Sequence, residues 1–168
     1  HTVGGSWTES GGTFTAGTAG KFTFEAAAGN TTITTNTSFY DLSVETAGNS
    51  VSAAAALDVT RNFTMTATNT GNFNTGTNTV KVTGTTNIDG GILEIAATGT
   101  FDADGDFDAD GQTVTFTGDG TLKLGGNSVG TPDLGTLNDD AGLANISKGT
   151  VIYDNQGGDQ DIYRNATR

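Results

Sequence analysis

The chain contains no cysteine, and it has one histidine, one proline, one methionine and one tryptophan. Without cysteine it cannot build zinc ribbons, iron–sulfur clusters or a thiol nucleophile. The single histidine stands at position 1, which excludes His-based metal cages and Ser-His-Asp chemistry. Positive charge is scarce: seven Lys and Arg face nineteen Asp and Glu, for a formal net charge of -12. Phosphate contacts dominate nucleic-acid affinity, so an acidic chain without a basic stripe has no expected nucleic-acid partner. No apolar run approaches the roughly 20 residues of a membrane-spanning helix. No signal-type hydrophobic region opens the chain, so it reads as a mature, processed protein or an excised module.

What the chain does have is glycine, threonine and asparagine: 26 Gly, 33 Thr and 14 Asn in 168 residues. Gly and Thr are weak helix formers, whereas Thr, Val, Ile and Phe suit a pleated strand. Apolar residues alternate with polar ones at Phe22/Phe24, Phe63/Met65, Val80/Val82, Ile92–Ile95, Val114/Phe116 and Leu122/Leu124. Period two with Thr or Lys between marks strands buried on one face. Gly4-Gly5, Gly11-Gly12, Gly71, Gly76, Gly84, Gly90-Gly91, Gly105, Gly111 and Gly125-Gly126 punctuate them. The expectation is an all-β chain of short strands and close corners.

The chain also repeats itself. A Gly-x-Phe-x segment, a Gly corner and a second alternating strand recur around Phe14, Phe73 and Phe107. A longer match joins Gly20–Ser38 to Gly149–Thr167 at a constant offset, pairing Phe22 with Val151, Phe24 with Tyr153 and Ile33 with Ile162. The first copy runs on into Phe39-Tyr40-Asp41-Leu42-Ser43-Val44, and the second stops at Arg168. Residues 1–168 therefore read as one repetitive β domain whose two ends are interrupted mid-repeat.

Strings such as TVGGSWTESGGTFTAG, FYDLSV and ALDVTRNFTMTA resemble the Thr/Gly-rich β-strand repeats of large secreted bacterial surface proteins, the adhesin-like and autotransporter-passenger-like chains. The resemblance implies an extracellular, structural or adhesive role on a parallel β-solenoid, and it brings no catalytic residues. Read from the residues, the leading fold is the same parallel β-solenoid (β-helix). An antiparallel sandwich or jelly roll is the alternative, because short strands with regular turns suit it too. At roughly 20 residues per coil the chain would make about eight coils, a rod on the order of 40 Å long. Ala53–Ala56 would sit where the interior narrows.

A solenoid has open strand edges at its ends, usually covered by caps or charge. No amphipathic cap is visible in the sequence at either terminus. The expected partner is therefore a second copy, joined head to tail as a homopolymer or by donor-strand exchange. Thr2, Val3 and Trp7 at one end, and Asp161, Ile162, Tyr163 and Asn165 at the other, are the candidate interface. A segment of a longer tandem protein is the competing reading.

Local chemistry is sparse. Asp102, Asp104, Asp106, Asp108 and Asp110 stand at every second position, and no Lys or Arg lies between Lys81 and Lys123. Carboxylate oxygens suit Ca²⁺, yet the spacing fits no EF-hand, and alternate residues of a strand lie about 6.6 Å apart. The competing reading is a solvated acidic face. Asn30, Asn36, Asn62, Asn145 and Asn165 open Asn-x-Ser/Thr sequons, candidate glycosylation sites in a glycosylating secretory system. Thr64-Met65-Thr66 and Thr113-Val114-Thr115 have the form of ice-binding Thr arrays, which would need one regular Thr column over many coils. Asn138-Asp139-Asp140 holds the one adjacent acid pair, with Lys148 the nearest base. An enzyme is not expected, and no cofactor is required. The reading is a structural subunit of an extracellular fibre or biofilm-type matrix. The alternative is an adhesin module that binds a surface glycan, with Trp7 as its aromatic candidate.

Overall fold

A computed structural model describes residues 1–11, 14, 17–35, 38–126, 136–139 and 148–154, with 136–139 described as backbone only. The described residues contain eighteen strands. Chain order runs β1 (Thr2–Val3), β2 (Trp7–Thr8), β3 (Lys21–Phe24), β4 (Thr31–Thr34), β5 (Asp41–Val44), β6 (Ser50–Ala53) and β7 (Leu57–Val59). It continues through β8 (Phe63–Met65), β9 (Asn72–Asn74), β10 (Thr79–Val82), β11 (Thr86–Ile88), β12 (Ile92–Ile95) and β13 (Thr100–Ala103). The last are β14 (Phe107–Asp108), β15 (Thr113–Phe116), β16 (Thr121–Leu124), β17 (Thr136–Asp139) and β18 (Thr150–Tyr153).

Every pairing between them is parallel, and no strand pairs with its neighbour in sequence. Instead the chain winds round three sides. Side 1 stacks β1-β3-β5-β8-β11-β14, side 2 stacks β2-β4-β6-β9-β12-β15-β17, and side 3 stacks β7-β10-β13-β16-β18. This is a three-sided parallel β-solenoid of roughly six turns. Parallel register throughout rules out the antiparallel sandwich. Val80 pairs with Phe101 and Phe101 with Leu122, an advance of 21 residues at each step. Seven strands on the longest side give about 29 Å from first rung to last at ~4.8 Å per rung. The described stack is thus shorter than the eight coils and 40 Å expected from length alone.

Alternation explains the strands, and stacking explains the core. On side 1, Phe22, Leu42, Phe63, Thr86 and Phe107 form one inward column. On side 3, Leu57, Val80, Phe101 and Leu122 form another. Phe63, Phe73 and Phe101, one from each side, meet on the axis with ring centroids 4.8 and 5.5 Å from Phe63. Each is fully buried, which is worth about 2–3 kcal/mol, and each edge-on ring pair adds about 0.5–1.5 kcal/mol. Thr86 breaks its column: its hydroxyl is buried between Phe63 and Phe107 and has no hydrogen-bond partner among the described residues.

Two repeat features take a different place from the one their sequence suggests. The three Phe motifs span three different corners. Phe73 lies on side 2 with Val80 on side 3, Phe107 lies on side 1 with Val114 on side 2, and Phe14 precedes Phe22 on side 1. Each motif is one side plus one corner, a third of the structural coil. The match between Gly20 and Gly149 pairs β3 of side 1 with β18 of side 3, so it carries no common face. The Ala53–Ala56 run does not fill a narrowed interior. Ala53 ends β6 and is buried, while Ala54 and Ala56 are exposed in the bend to β7.

Corners carry the backbone strain. In the turn Ala109–Gln112 the Gln112 N–H donates to the Ala109 carbonyl at 2.9 Å, and the third residue, Gly111, has φ 70°. The turn Ala96–Gly99 is built alike, with a 2.9 Å bond from Gly99 N–H to Ala96, but its third residue is Thr98 at φ 64°. A β-branched residue in the left-handed region costs about 1–3 kcal/mol. Thr98→Gly is therefore expected to stabilise the protein by about 1 kcal/mol, raising Tm by roughly 2–4 °C after glycine's extra unfolded-state entropy. Calorimetry showing no rise would mean the turn is not strained.

Candidate functional site: outer ladders and the first rung

The outward residues also stack into columns, and the one on side 3 alternates in sign. Asp58 pairs in register with Lys81, Lys81 with Asp102, and Asp102 with Lys123. The Lys81 ammonium lies 2.8 Å from the Asp104 carboxylate and that of Lys123 lies 3.6 Å from Asp102. This corrects the expectation that the acidic stretch has no base nearby. Its bases sit 21 residues away in sequence and one rung away in space.

The five aspartates are not gathered at one point. Asp102 lies on side 3 in β13, Asp104 follows it, Asp106 is exposed in the corner, and Asp108 lies on side 1 in β14. Asp110 is exposed, and its N–H donates to the Asp108 carboxylate at 3.0 Å. Among the described residues no group of three or more Asp, Glu, His or Cys is placed to hold a metal ion.

The Lys81 ammonium and the Tyr153 phenol titrate away from their ordinary values. The hydrogen bond to Asp104 raises the pKa of Lys81, against a smaller opposing effect of burial and with help from the charges of Asp104, Asp102 and Asp58. Burial raises that of the Tyr153 phenol. In both cases the folded state holds its proton more tightly than the unfolded state does. Their contribution is therefore fully present below the unfolded values of 10.5 and 10.0 and is lost as pH rises through the folded ones. Melting temperature is expected to fall above about pH 10, and Lys81→Met should blunt that fall. A pH–Tm curve that Lys81→Met leaves unchanged would show that the ladder contributes nothing. Exposed pairs of this kind are worth about 0–1 kcal/mol each, so the effect is small at neutral pH.

The outward columns of sides 1 and 2 are mostly Thr, Ser and Asn, with acids at Asp108 and Glu94. On side 2 the Glu94 carboxylate accepts from Asn74 Nδ2 at 2.6 Å and from Asn72 Nδ2 at 3.3 Å. Neither Thr-x-Thr array becomes a Thr column. Thr64 stacks between Ser43 and Asn87, and Thr115 stacks between Glu94 and Asn138. Of the sequon asparagines, Asn30 and Asn62 stand at corners, where their Oδ1 atoms accept from Ser50 N–H at 2.9 Å and Thr85 N–H at 3.2 Å, each one coil on. Asn36, Asn145 and Asn165 lie outside the described residues, as do Asp140, Asp161, Ile162 and Tyr163. Asn138 and Asp139 belong to β17, the last strand of side 2.

The first rung is where the candidate interface residues Thr2, Val3 and Trp7 come together. Val3 continues an inward column of side 1 above Phe24, and Trp7 continues one of side 2 above Ile33. Phe14 packs against them, 5.1 Å from Trp7 and 5.2 Å from Phe22 between ring centroids. Phe22 and Phe39 lie beneath, their centroids 5.2 Å apart. The end of the solenoid is thus filled by a cluster of aromatic rings. Trp7 belongs to this plug rather than to an outer sheet face, and its indole N–H is buried without an acceptor among the described residues. Phe14, Phe22 and Phe39 were not legible as end-filling residues. Their spacing signals strands, not which rung closes the stack.

The backbone at this rung faces two ways. The carbonyls of His1 and Val3 accept from Thr23 and Glu25 N–H at 2.7 and 3.0 Å. By the alternation of a parallel strand, the amide group of Thr2 points away from β3. Glu9 N–H donates to the Thr34 carbonyl at 2.8 Å, so Thr8 likewise points its amide away from β4. Strands β1 and β2 each have a partner on one side only among the described residues.

No family model, no curated protein and no solved structure matches this chain.

Proposed function

We propose that the chain is a structural unit of an extracellular fibre or surface filament, extended by stacking further β-coils on its ends. The observation that supports this best is that every strand pair among the described residues is parallel, from β1 on β3 to β16 on β18. Each side is a column of hydrogen bonds with the same polarity, and such a column propagates by addition of an identical rung. The Thr, Asn and Asp ladders outside and the net charge of -12 keep such a rod dispersed in water. Electron microscopy of the purified chain over a range of concentrations tests the reading. Filaments with an axial repeat on the order of 30–35 Å, about seven rungs at ~4.8 Å, are expected. Discrete short rods at every concentration would overturn it.

A further inference from the structure

We propose that the outer face of side 3 is a lateral docking surface for the same face of a second copy of this chain, packed with its axis reversed. This concerns the flank of the rod and goes beyond end-to-end stacking. One outward column carries it. Asp58, Lys81, Asp102 and Lys123 stand in register on four consecutive rungs and alternate acid, base, acid, base. Read from the other end, the order is base, acid, base, acid. A two-fold axis along the strand direction, midway between the rungs of Lys81 and Asp102, reverses the rungs and leaves strand direction unchanged. It sets Asp58 opposite Lys123 and Lys81 opposite Asp102, so all four rungs meet an opposite charge.

Parallel arrangements of the two rods fit less well. With the rungs level, each residue meets its own copy and every pair repels. Sliding one rod by a rung matches only three of the four rungs and does not close into a dimer. The column is also a place where charge permits contact. Acids outnumber bases nineteen to seven over the chain, whereas this column holds two of each. Two copies can therefore meet along it without the net repulsion that an acidic surface imposes.

The face suits sheet-on-sheet contact. Thr79, Thr100, Thr121 and Thr150 form a second outward column, two residues before the charged one. The same axis sets Thr79 opposite Thr100. Packed sheets lie ~10 Å apart, a gap that a Lys and an Asp side chain span between them. Asp58 is exposed, and the side chains of Lys81, Lys123 and Asp102 keep 43%, 36% and 14% exposure. An ammonium has three donors and a carboxylate about four acceptor positions, so each can hold one partner in its own chain and another in the next. Four rungs of up to four residues cover about 250 Å² per copy at ~4.8 by ~3.3 Å each. That is well below the ~800 Å² per partner of a stable interface. The pair is accordingly weak, with a Kd on the order of 0.1–1 mM, and repeated faces along a fibre add their effects.

Two swaps of identical composition test this geometry. Lys81→Asp/Asp102→Lys changes the rung order to acid, acid, base, base, which the two-fold axis still matches rung for rung. Asp58→Lys/Lys81→Asp changes it to base, acid, acid, base, which the same axis sets like on like. Both keep the net charge of -12, and both remove the Lys81–Asp104 bond. The first swap puts like charges side by side at two junctions within the chain and the second at one, so loss of pairing in the second alone cannot come from poorer folding. Sedimentation equilibrium at low salt, up to about 1 mM protein, is expected to show the wild-type mass rising above 17.0 kDa. The first variant should follow it, the second should associate at least tenfold more weakly, and ~0.5 M salt should abolish the effect. Where the chain forms filaments, electron microscopy reads the same series as paired against single filaments. A wild-type chain that never pairs, or two variants that behave alike in either direction, would overturn the docking face. Those outcomes leave the end-to-end reading untouched, because the swaps lie on an outer face and not at a terminal rung.

Discussion

Gly71→Ala is expected to cost about 4 kcal/mol or more and to lower Tm by roughly 8–16 °C. Gly71 is buried in the corner between β8 and β9. A Cβ there would fall onto the backbone carbonyl of Asn49 and the hydroxyl of Thr46, both in the preceding coil. Neither can yield cheaply. Thr46 and Asn49 lie between β5 and β6, which are themselves paired to β8 and β9 on either side of the corner. Relief would require two coils to part, which breaks ladder bonds and opens the core to voids. Gly71 does not have a positive φ, so the effect isolates contact from backbone conformation. Gly4→Ala is the control, because no atom lies within 4 Å of a Cβ added there. Thermal melts that place the two variants within about 2 °C of each other would show that the coils are not packed this closely.

Asn69→Leu should be of similar size, about 3–5 kcal/mol, because it strips a buried polar clamp rather than volume. The Asn69 Oδ1 atom accepts from Thr46 N–H at 3.0 Å, from the Thr46 hydroxyl at 2.8 Å and from Gly71 N–H at 3.2 Å. Its Nδ2 donates to the carbonyls of Gly71 at 3.4 Å and Gly90 at 3.3 Å. One side chain thus ties three successive coils at a single corner. Leucine keeps the bulk and leaves two backbone N–H groups buried without partners, at about 1–3 kcal/mol each. Asn69→Asp separates hydrogen bonding from packing. Its carboxylate would face the Gly71 and Gly90 carbonyls, so the folded state would favour the protonated acid. The folded pKa is then raised, and stability is expected to be present at low pH and lost as pH rises through it. If the Asp variant melts at the same temperature at pH 4 and pH 7, the clamp is not what holds the corner. The Leu and Ala variants share Thr46 and Gly71, so their effects should not add.

Much of the fold was legible in the residues. Phe22/Phe24, Val80/Val82 and Leu122/Leu124 alternate, and each pair lies in a strand with both members buried. Gly-rich punctuation marked the corners between them. Alternation is a local property with a period of two, so a stretch of four residues displays it unaided. The polar clamp at Asn69 was not legible. Its partners Thr46 and Gly90 lie 23 and 21 residues away, and no local pattern distinguishes this Asn from the thirteen others.

By itself, then, the sequence determined the all-β character, the alternation of the main strands and the preference for a stacked β-coil, because these follow from which residues are apolar and where glycine interrupts them. Only the tertiary structure decided which side each strand occupies. A corner between coils can absorb several residues, so the advance between paired strands varies from 20 at Lys21–Asp41 to 29 at Leu122–Val151. A few residues gained or lost in a corner move a matching segment to another face, as with Phe22 and Val151. The same winding brought Lys81 and Lys123 onto either side of Asp102 and gathered Trp7, Phe14, Phe22 and Phe39 at one end. Those contacts depend on distance through space between coils, which the order of residues along one coil does not contain.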